Sequence, residues 1–121
     1  MIVAAHATMY ADDPEKARAF FRDVLDMPNV DAHGGWLIFK LPPAELGVHP
    51  AGETAPSGRH EVFLLCDDIE RTVAALTAKG AEFTGAIVEA RFGRLIRMRV
   101  PGAAEIGVYQ PSHATAHQLD G

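Results

Sequence analysis

Cysteine, long apolar runs and positive charge are all scarce in this 121-residue chain. The single cysteine, Cys66, cannot form an internal disulfide, which is typical of a protein from a reducing compartment. No apolar run approaches the roughly 20 residues of a membrane-spanning helix. The first residues, 1–6, lack the basic and apolar regions of a secretory signal. We therefore expect a cytoplasmic protein.

The shortage of positive charge argues against nucleic-acid binding. Eleven Lys and Arg stand against sixteen Asp and Glu, which gives a formal net charge of −5. The basic residues form no cluster, so the electrostatic footprint of a nucleic-acid-binding protein is missing. The chain also contains no glycine-rich phosphate loop, nucleophile elbow or cysteine cluster.

What the chain does have is enough apolar sequence, 48% of its residues, for the core of one domain. In the first half, residues 2–10 predict a strand. Asp13 before Pro14 predicts a helix start, with Asp13 as the N-cap and Pro14 in the first helical position. Further strands are predicted over 29–32, 36–41 and 44–49, and residues 51–58 are predicted to be a linker.

The second half repeats this order. A strand over 61–66 leads into a helix that begins after Asp67-Asp68 and stops at Gly80. Three more strands are predicted over 82–88, 95–100 and 104–110, and the tail after Pro111 is predicted to be polar and frayed. The motif AELGVHP at 44–50 is echoed by AEIGVYQP at 104–111. The repeat predicts an α+β fold of two βαβββ modules, 1–50 and 59–111, in one domain over 1–111, followed by a tail over 112–121.

The polar residues inside the predicted strands recur symmetrically. Strand alternation places Glu45 and His49 on one face of their strand, and Glu105 and Tyr109 on the matching face of theirs. The opposite, apolar faces are expected to pack on the helices. A carboxylate on an enclosed sheet face is costly unless it is paired or bound to a metal. If the mixed sheet curves, these polar faces line the inside of a cup.

Each half also has a histidine on its first predicted strand, His6 and His60. Together with Glu45 and Glu105 they form a donor set that suits zinc, nickel, iron or manganese. The alternative is that each of the four is an exposed or internally paired polar residue. His49 either lines the pocket or replaces Glu45 as a ligand. The remaining candidate substrate-binding residues are Tyr109 and one arginine of the strand over 95–100, Arg97 or Arg99, although a solvated strand face explains them too.

At these residues the sequence resembles the vicinal oxygen chelate superfamily, which includes glyoxalase I, extradiol dioxygenases and bleomycin resistance proteins. The resemblance covers residues 1–111. It is carried by His6 before DDPEKARAFF, by His60 before CDDIE, and by PGAAEIGV around Glu105.

The resemblance implies paired βαβββ modules whose curved mixed sheet forms a cup around a divalent metal. The expected ligands are His6, Glu45, His60 and Glu105. A carboxylate ligand, Glu105 or Glu45, would move a proton on a small-molecule substrate whose neighbouring oxygens the metal chelates. Members of the superfamily often form homodimers, and we expect one here by analogy.

Three functions stay open on this reading. The first is a glyoxalase-like metal-dependent isomerase or lyase that uses all four ligands. The second is an iron-dependent extradiol-type dioxygenase that uses only His6, His60 and Glu105. The third is a metal-free small-molecule binding protein similar to bleomycin resistance proteins, which would have an apolar, aromatic cleft.

Overall fold

A computed structural model describes residues 6–119 and contains an α+β arrangement within them. The elements, in chain order, are α1 (Pro14–Asp23), β1 (Asn29–Asp31), β2 (Leu37–Phe39), β3 (Phe63–Leu65), α2 (Ile69–Ala78), β4 (Phe83–Ala90), β5 (Gly93–Arg99) and β6 (Glu105–Pro111).

The second half of the chain forms the complete module that the sequence predicts. Its four strands lie in the order β3-β6-β5-β4, with β3 parallel to β6 and the other pairs antiparallel. The sheet is therefore mixed, and it is curved and unclosed. The first half contributes the antiparallel hairpin β1-β2 and the helix α1, which contacts β2.

Both helices begin where the sequence predicts. The Asp13 side chain accepts a hydrogen bond from the backbone N–H of Lys16, and Pro14 follows in the first turn. The Asp68 side chain accepts in the same way from the N–H of Arg71. These caps satisfy N–H groups that have no partner inside the helix. Gly80, just past the end of α2, adopts the positive φ of 100° that makes it a helix stop.

The core lies between the helices and one face of the four-stranded sheet. Ala17 and Phe20 of α1 and Ile69 of α2 are buried against alternate residues of the strands. The predicted alternation of β6 is confirmed, because Ile106 and Val108 are 4% and 2% exposed. The other buried strand and turn residues are Ala81, Ile96, Met98 and Val100.

The prediction of a strand over 44–49 is wrong for the structure of the single chain. This segment is irregular, and Leu46 and Val48 are 84% and 87% exposed, whereas their counterparts Ile106 and Val108 are buried. The segment over 44–49 and β6 differ in the strands beside them. β6 is hydrogen-bonded between β3 and β5, and an alternating sequence becomes a strand only where such neighbours exist.

The other differences are smaller. Of the first predicted strand, residues 2–5 lie outside the described residues, and residues 6–10 are irregular. The strands predicted over 36–41 and 61–66 are shortened to three residues each, Leu37–Phe39 and Phe63–Leu65. Within residues 6–119, neither helix is long and apolar enough to cross a membrane.

Candidate functional site

The face of the four-stranded sheet that points away from the helices is here called the open face. Because side chains alternate along a strand, the residues between the buried ones must lie on this face. It is formed by Leu95, Arg97 and Arg99 of β5, by Glu105, Gly107 and Tyr109 of β6, and by Thr84 of β4, with Glu61 and Phe63 at the β3 side.

Gly107 is the floor of this face. It pairs with Phe63 across the parallel strands, and the Phe63 ring lies so close that a Cβ at position 107 would be 2.2 Å from the Cδ1 atom of the ring. The space that a side chain would occupy at this position is filled by an aromatic ring that lies on the strand backbone.

An aromatic group surrounds this contact. The Tyr109 ring is perpendicular to the rings of both Phe63 and Phe92, with centroid distances of 5.6 and 5.8 Å. The Arg97 guanidinium lies 5.4 Å from the Phe63 ring centre and donates to the Glu61 carboxylate over 3.1 Å. Edge-to-face rings and a cation over a ring are favourable contacts, so these side chains hold one another in place.

Glu105 lies at the other end of the open face and is exposed. Its carboxylate accepts a hydrogen bond from the Thr84 hydroxyl. Arg99 is its register partner on β5, and the Arg99 guanidinium lies 4.0 Å from the Glu82 carboxylate. A bond from Thr84 leaves most of the acceptor capacity of Glu105 available to solvent or a ligand.

Glu45 is held by the C-terminal tail. Its Oε1 atom accepts hydrogen bonds from the backbone N–H groups of Ala116, at 2.8 Å, and His117, at 3.2 Å. The Ala116 bond is the main reason that the pKa of the Glu45 carboxyl lies below its usual value. The pKa of Tyr109 is raised, first by burial and then by the Glu45 charge.

The predicted metal ligands do not come together in the single chain. His6, His60 and the pocket candidate His49 are exposed in irregular segments. Across residues 6–119, no three His, Cys, Asp or Glu side chains are grouped closely enough to hold a metal ion. The donor types suit a divalent metal, but their arrangement in one chain does not fit one.

A shallow groove of about 710 Å³ lies between α2 and the edge strand β4. It is lined by residues such as Val73, Thr77 and Phe83, and it shares Thr84 and Arg99 with the open face. Binding sites usually combine an enclosed apolar surface with converging polar groups. The open face fits this description better than the groove, because Arg97, Tyr109 and Glu105 surround the Phe63 ring that covers Gly107.

Phe63, Phe92 and Thr84 form or contact the open face but are missing from the sequence-based candidates. Phe63 sits in an apolar stretch that reads as core, Phe92 lies next to Arg91 in the turn between β4 and β5, and Thr84 is an ordinary strand threonine. The parallel pairing of β3 with β6 brings Phe63 onto Gly107, and that pairing is visible only in the fold. The tail also contacts the sheet, since His113 contacts the Tyr109 hydroxyl through Nε2 at 3.1 Å.

Comparison with solved structures shows what the fold is similar to. The chain matches TnmS3, an antibiotic binding protein from Streptomyces sp. CB03234, with a TM-score of 0.59 and 24% identity over 93% of this chain and 100% of that one. It matches lactoylglutathione lyase from Agrobacterium tumefaciens with a TM-score of 0.62 and 18% identity over 89% and 92%. A superfamily member from Sphaerobacter thermophilus gives 0.61 and 23% over 90% and 98%.

No curated protein matches the sequence. The family model that does match covers residues 4–113, nearly the whole chain, and describes the Glyoxalase/Bleomycin resistance protein/Dioxygenase superfamily. The curved, unclosed mixed sheet of the structure agrees with this match. The chain therefore belongs to the glyoxalase/bleomycin resistance protein/dioxygenase superfamily.

Proposed function

We propose that this chain binds a small organic molecule on the open face of the four-stranded sheet. The observation that carries the proposal is the aromatic group on this face: Phe63 lies on Gly107, Tyr109 stands against Phe63, and Arg97 caps the ring. An exposed sheet face built only for solubility needs no such group. A flat, partly apolar ligand would find a ring to stack on and a guanidinium for a negative group.

Two further points support binding on this face. Arg97 is 41% exposed even though it is paired with Glu61, so its guanidinium is accessible to a ligand. The fold is also similar to that of a protein described as antibiotic binding, at 24% identity, and a binding function for this chain is consistent with that similarity of fold. We also propose that the protein is cytoplasmic, because its single cysteine, Cys66, is typical of a reducing compartment.

The test is a titration with 8-anilinonaphthalene-1-sulfonate, a flat aromatic anion whose fluorescence rises on binding to apolar surface. We expect saturable binding to the wild-type chain, weakened about fivefold in Phe63→Ala, because losing an aromatic partner costs roughly 1 kcal/mol. The control is Trp36→Ala, which removes a 63% exposed aromatic side chain that contacts Arg18 on the side of α1. Equal effects of the two substitutions would mean that the probe does not recognise the open face.

We also propose that the protein acts as a homodimer. The apolar side chains Leu46 and Val48 are almost fully exposed in the first module, while the residues that repeat them in the second are covered by the sheet and helices. Adjacent exposed apolar residues typically mark an interaction surface. The internal repeat favours a second copy of the chain as the partner. The second module covers Ile106 and Val108, which repeat Leu46 and Val48, so a module of another copy can cover the same sequence pattern in the first.

Leu46→Asp is accordingly expected to convert the dimer to a monomer, because a carboxylate placed in an apolar interface has no partner there. Sedimentation velocity at matched concentrations measures the change. The control is Leu119→Asp, which places the same charge at a 76% exposed leucine in the tail. A wild-type chain that stays monomeric at every concentration would contradict the dimer, as would a dimer that is unaffected by Leu46→Asp.

A second candidate function is a metal-dependent lyase or isomerase of the glyoxalase type, or an extradiol-type dioxygenase. It is favoured by the symmetry of His6, Glu45, His60 and Glu105 in the sequence and by the accessible Glu105 carboxylate on the open face. Since one chain does not group these ligands, this function requires that a partner chain supply part of the site. When bound, the metal would supply Lewis acidity, and Glu105 or Glu45 would be the proton-carrying group.

Metal analysis separates this second candidate from simple binding. A metalloprotein purified without chelators is expected to contain about one equivalent of a divalent metal per site, and Glu105→Gln to lose most of it. Glu45→Gln should lose the metal as well if all four residues are ligands, but retain iron if only His6, His60 and Glu105 are. Failure of the wild-type dimer to take up zinc, nickel, manganese or iron would contradict the metalloenzyme.

A further inference from the structure

The C-terminal segment, residues 112–119, folds back along one end of the open face. It leaves β6 through a fixed turn, in which the backbone N–H of Ser112 donates to the carbonyl of Phe92 at 2.8 Å and the Ser112 hydroxyl donates to the carbonyl of Arg91 at 3.1 Å. These two bonds tie the start of the segment to the turn between β4 and β5. The direction of the rest of the segment is therefore set by the sheet.

The segment then occupies two polar groups that belong to different halves of the chain. His113 contacts the Tyr109 hydroxyl, and the N–H groups of Ala116 and His117 both donate to one oxygen of Glu45. The carbonyl of Ala116 accepts from the N–H of Leu119, which closes a turn at this point. The segment thus bridges the first module at Glu45 and the second at Tyr109.

We propose that residues 112–119 are a built-in competitor of the ligand: they occupy Glu45 and Tyr109, and a ligand must displace them to reach this end of the open face. The inference rests on the proposed binding function. A carboxylate that already accepts two N–H groups and a hydroxyl that already contacts an imidazole have less capacity for a ligand. The structure thus represents the closed state, in which the segment is held on Glu45 and Tyr109, and in the open state the segment is released from both.

The segment has the properties of a strap that opens at low cost. Only Thr115 and His117 are partly buried, and its remaining residues are exposed. Its hold on Glu45 consists of two backbone hydrogen bonds, of which one is exposed and one is partly buried. Segments with little buried apolar surface and exposed hydrogen bonds open far more often than the core unfolds. The apparent affinity of a ligand is then reduced by the fraction of molecules in which the strap is closed.

The test uses the full chain with the substitution Ala116→Pro, which removes the stronger of the two donors to Glu45 without changing any charge. Binding of 8-anilinonaphthalene-1-sulfonate is expected to become about threefold tighter or more, because a larger fraction of molecules is open. The matched control is Ala51→Pro, at an exposed alanine outside residues 112–119, whose substitution leaves the N–H groups at Glu45 and the His113 contact in place. The control is expected to change the affinity by less than half as much.

Hydrogen–deuterium exchange of residues 112–119 in the absence of any ligand is the second readout. Glu45→Gln should speed exchange in this segment, while Glu53→Gln, at an exposed carboxylate of the neighbouring irregular segment, should not. Unchanged exchange in Glu45→Gln overturns the strap, as does equal or weaker probe binding by Ala116→Pro. Probe binding that is insensitive to Phe63→Ala contradicts the binding function itself, and the exchange experiment still decides whether Glu45 holds the segment.

Discussion

Replacing Ile69 by alanine is expected to lower the free energy of unfolding by about 2–5 kcal/mol. Ile69 is 0% exposed and is the first residue of α2, where it packs in the core cluster that joins both helices to the sheet. Its backbone N–H also donates to the Gln110 side chain at 2.9 Å, which fixes the start of α2 against β6. Truncation removes two methyl groups and a methylene group from a site that the surrounding strands cannot easily refill.

Urea unfolding followed by circular dichroism measures the effect as a shift of the midpoint at constant slope. The control is Ile38→Ala, the same chemical change at a residue of β2 that is 37% exposed, for which we expect a loss of less than about 1 kcal/mol. Similar losses for the two substitutions would show that the core of the molecule does not lie between α2 and the sheet.

Local signals in the sequence predict the helices and the second module well. The caps at Asp13 and Asp68, the proline after Asp13 and the stop at Gly80 act within a few residues, so they need no knowledge of the fold. The alternation around Ile106 and Val108 is equally local. Each of these predictions is confirmed because the tertiary structure requires of those residues the same conformation that the local chemistry favours.

The repeat is less informative about the first module. The motif over 44–50 has the same alternation as the motif that forms β6, yet Leu46 and Val48 are exposed. A strand depends on hydrogen-bonding neighbours from distant sequence or from another chain, and sequence periodicity does not specify whether they are in place. The prediction of the symmetric metal ligands is limited in the same way. Glu45 lies in this segment, so its position depends on whether the segment forms a strand.

The open face shows the opposite case, in which an important residue carries no local signal. Phe63 lies in an apolar run and looks like core, but its parallel pairing with Gly107 places it on the outer side of the sheet. Its aromatic contacts with Tyr109 join residues 46 positions apart in the chain. Pairings between distant strands are set by the whole topology, so only the structure reveals this group.

Adding one methyl group at position 107 is expected to disrupt this face. In Gly107→Ala the new Cβ would stand 2.2 Å from Cδ1 and 2.4 Å from Cε1 of Phe63, so the ring must leave the strand backbone. Overpacking of this kind costs about 1–3 kcal/mol of stability. The displaced ring also loses its contacts with Tyr109 and Arg97, so probe affinity should fall about fivefold, as in Phe63→Ala.

The internal repeat provides the matched control, Gly47→Ala. Its new Cβ would be in ordinary contact with the His49 ring, 3.6 Å from Nε2, and should change the free energy of unfolding by no more than about 0.5 kcal/mol. The two variants carry the same methyl group in the same repeated motif and differ only in what lies above it. If Gly107→Ala kept wild-type stability and probe affinity, the Phe63 ring would not be resting on β6, and the binding surface proposed for the open face would lose its floor.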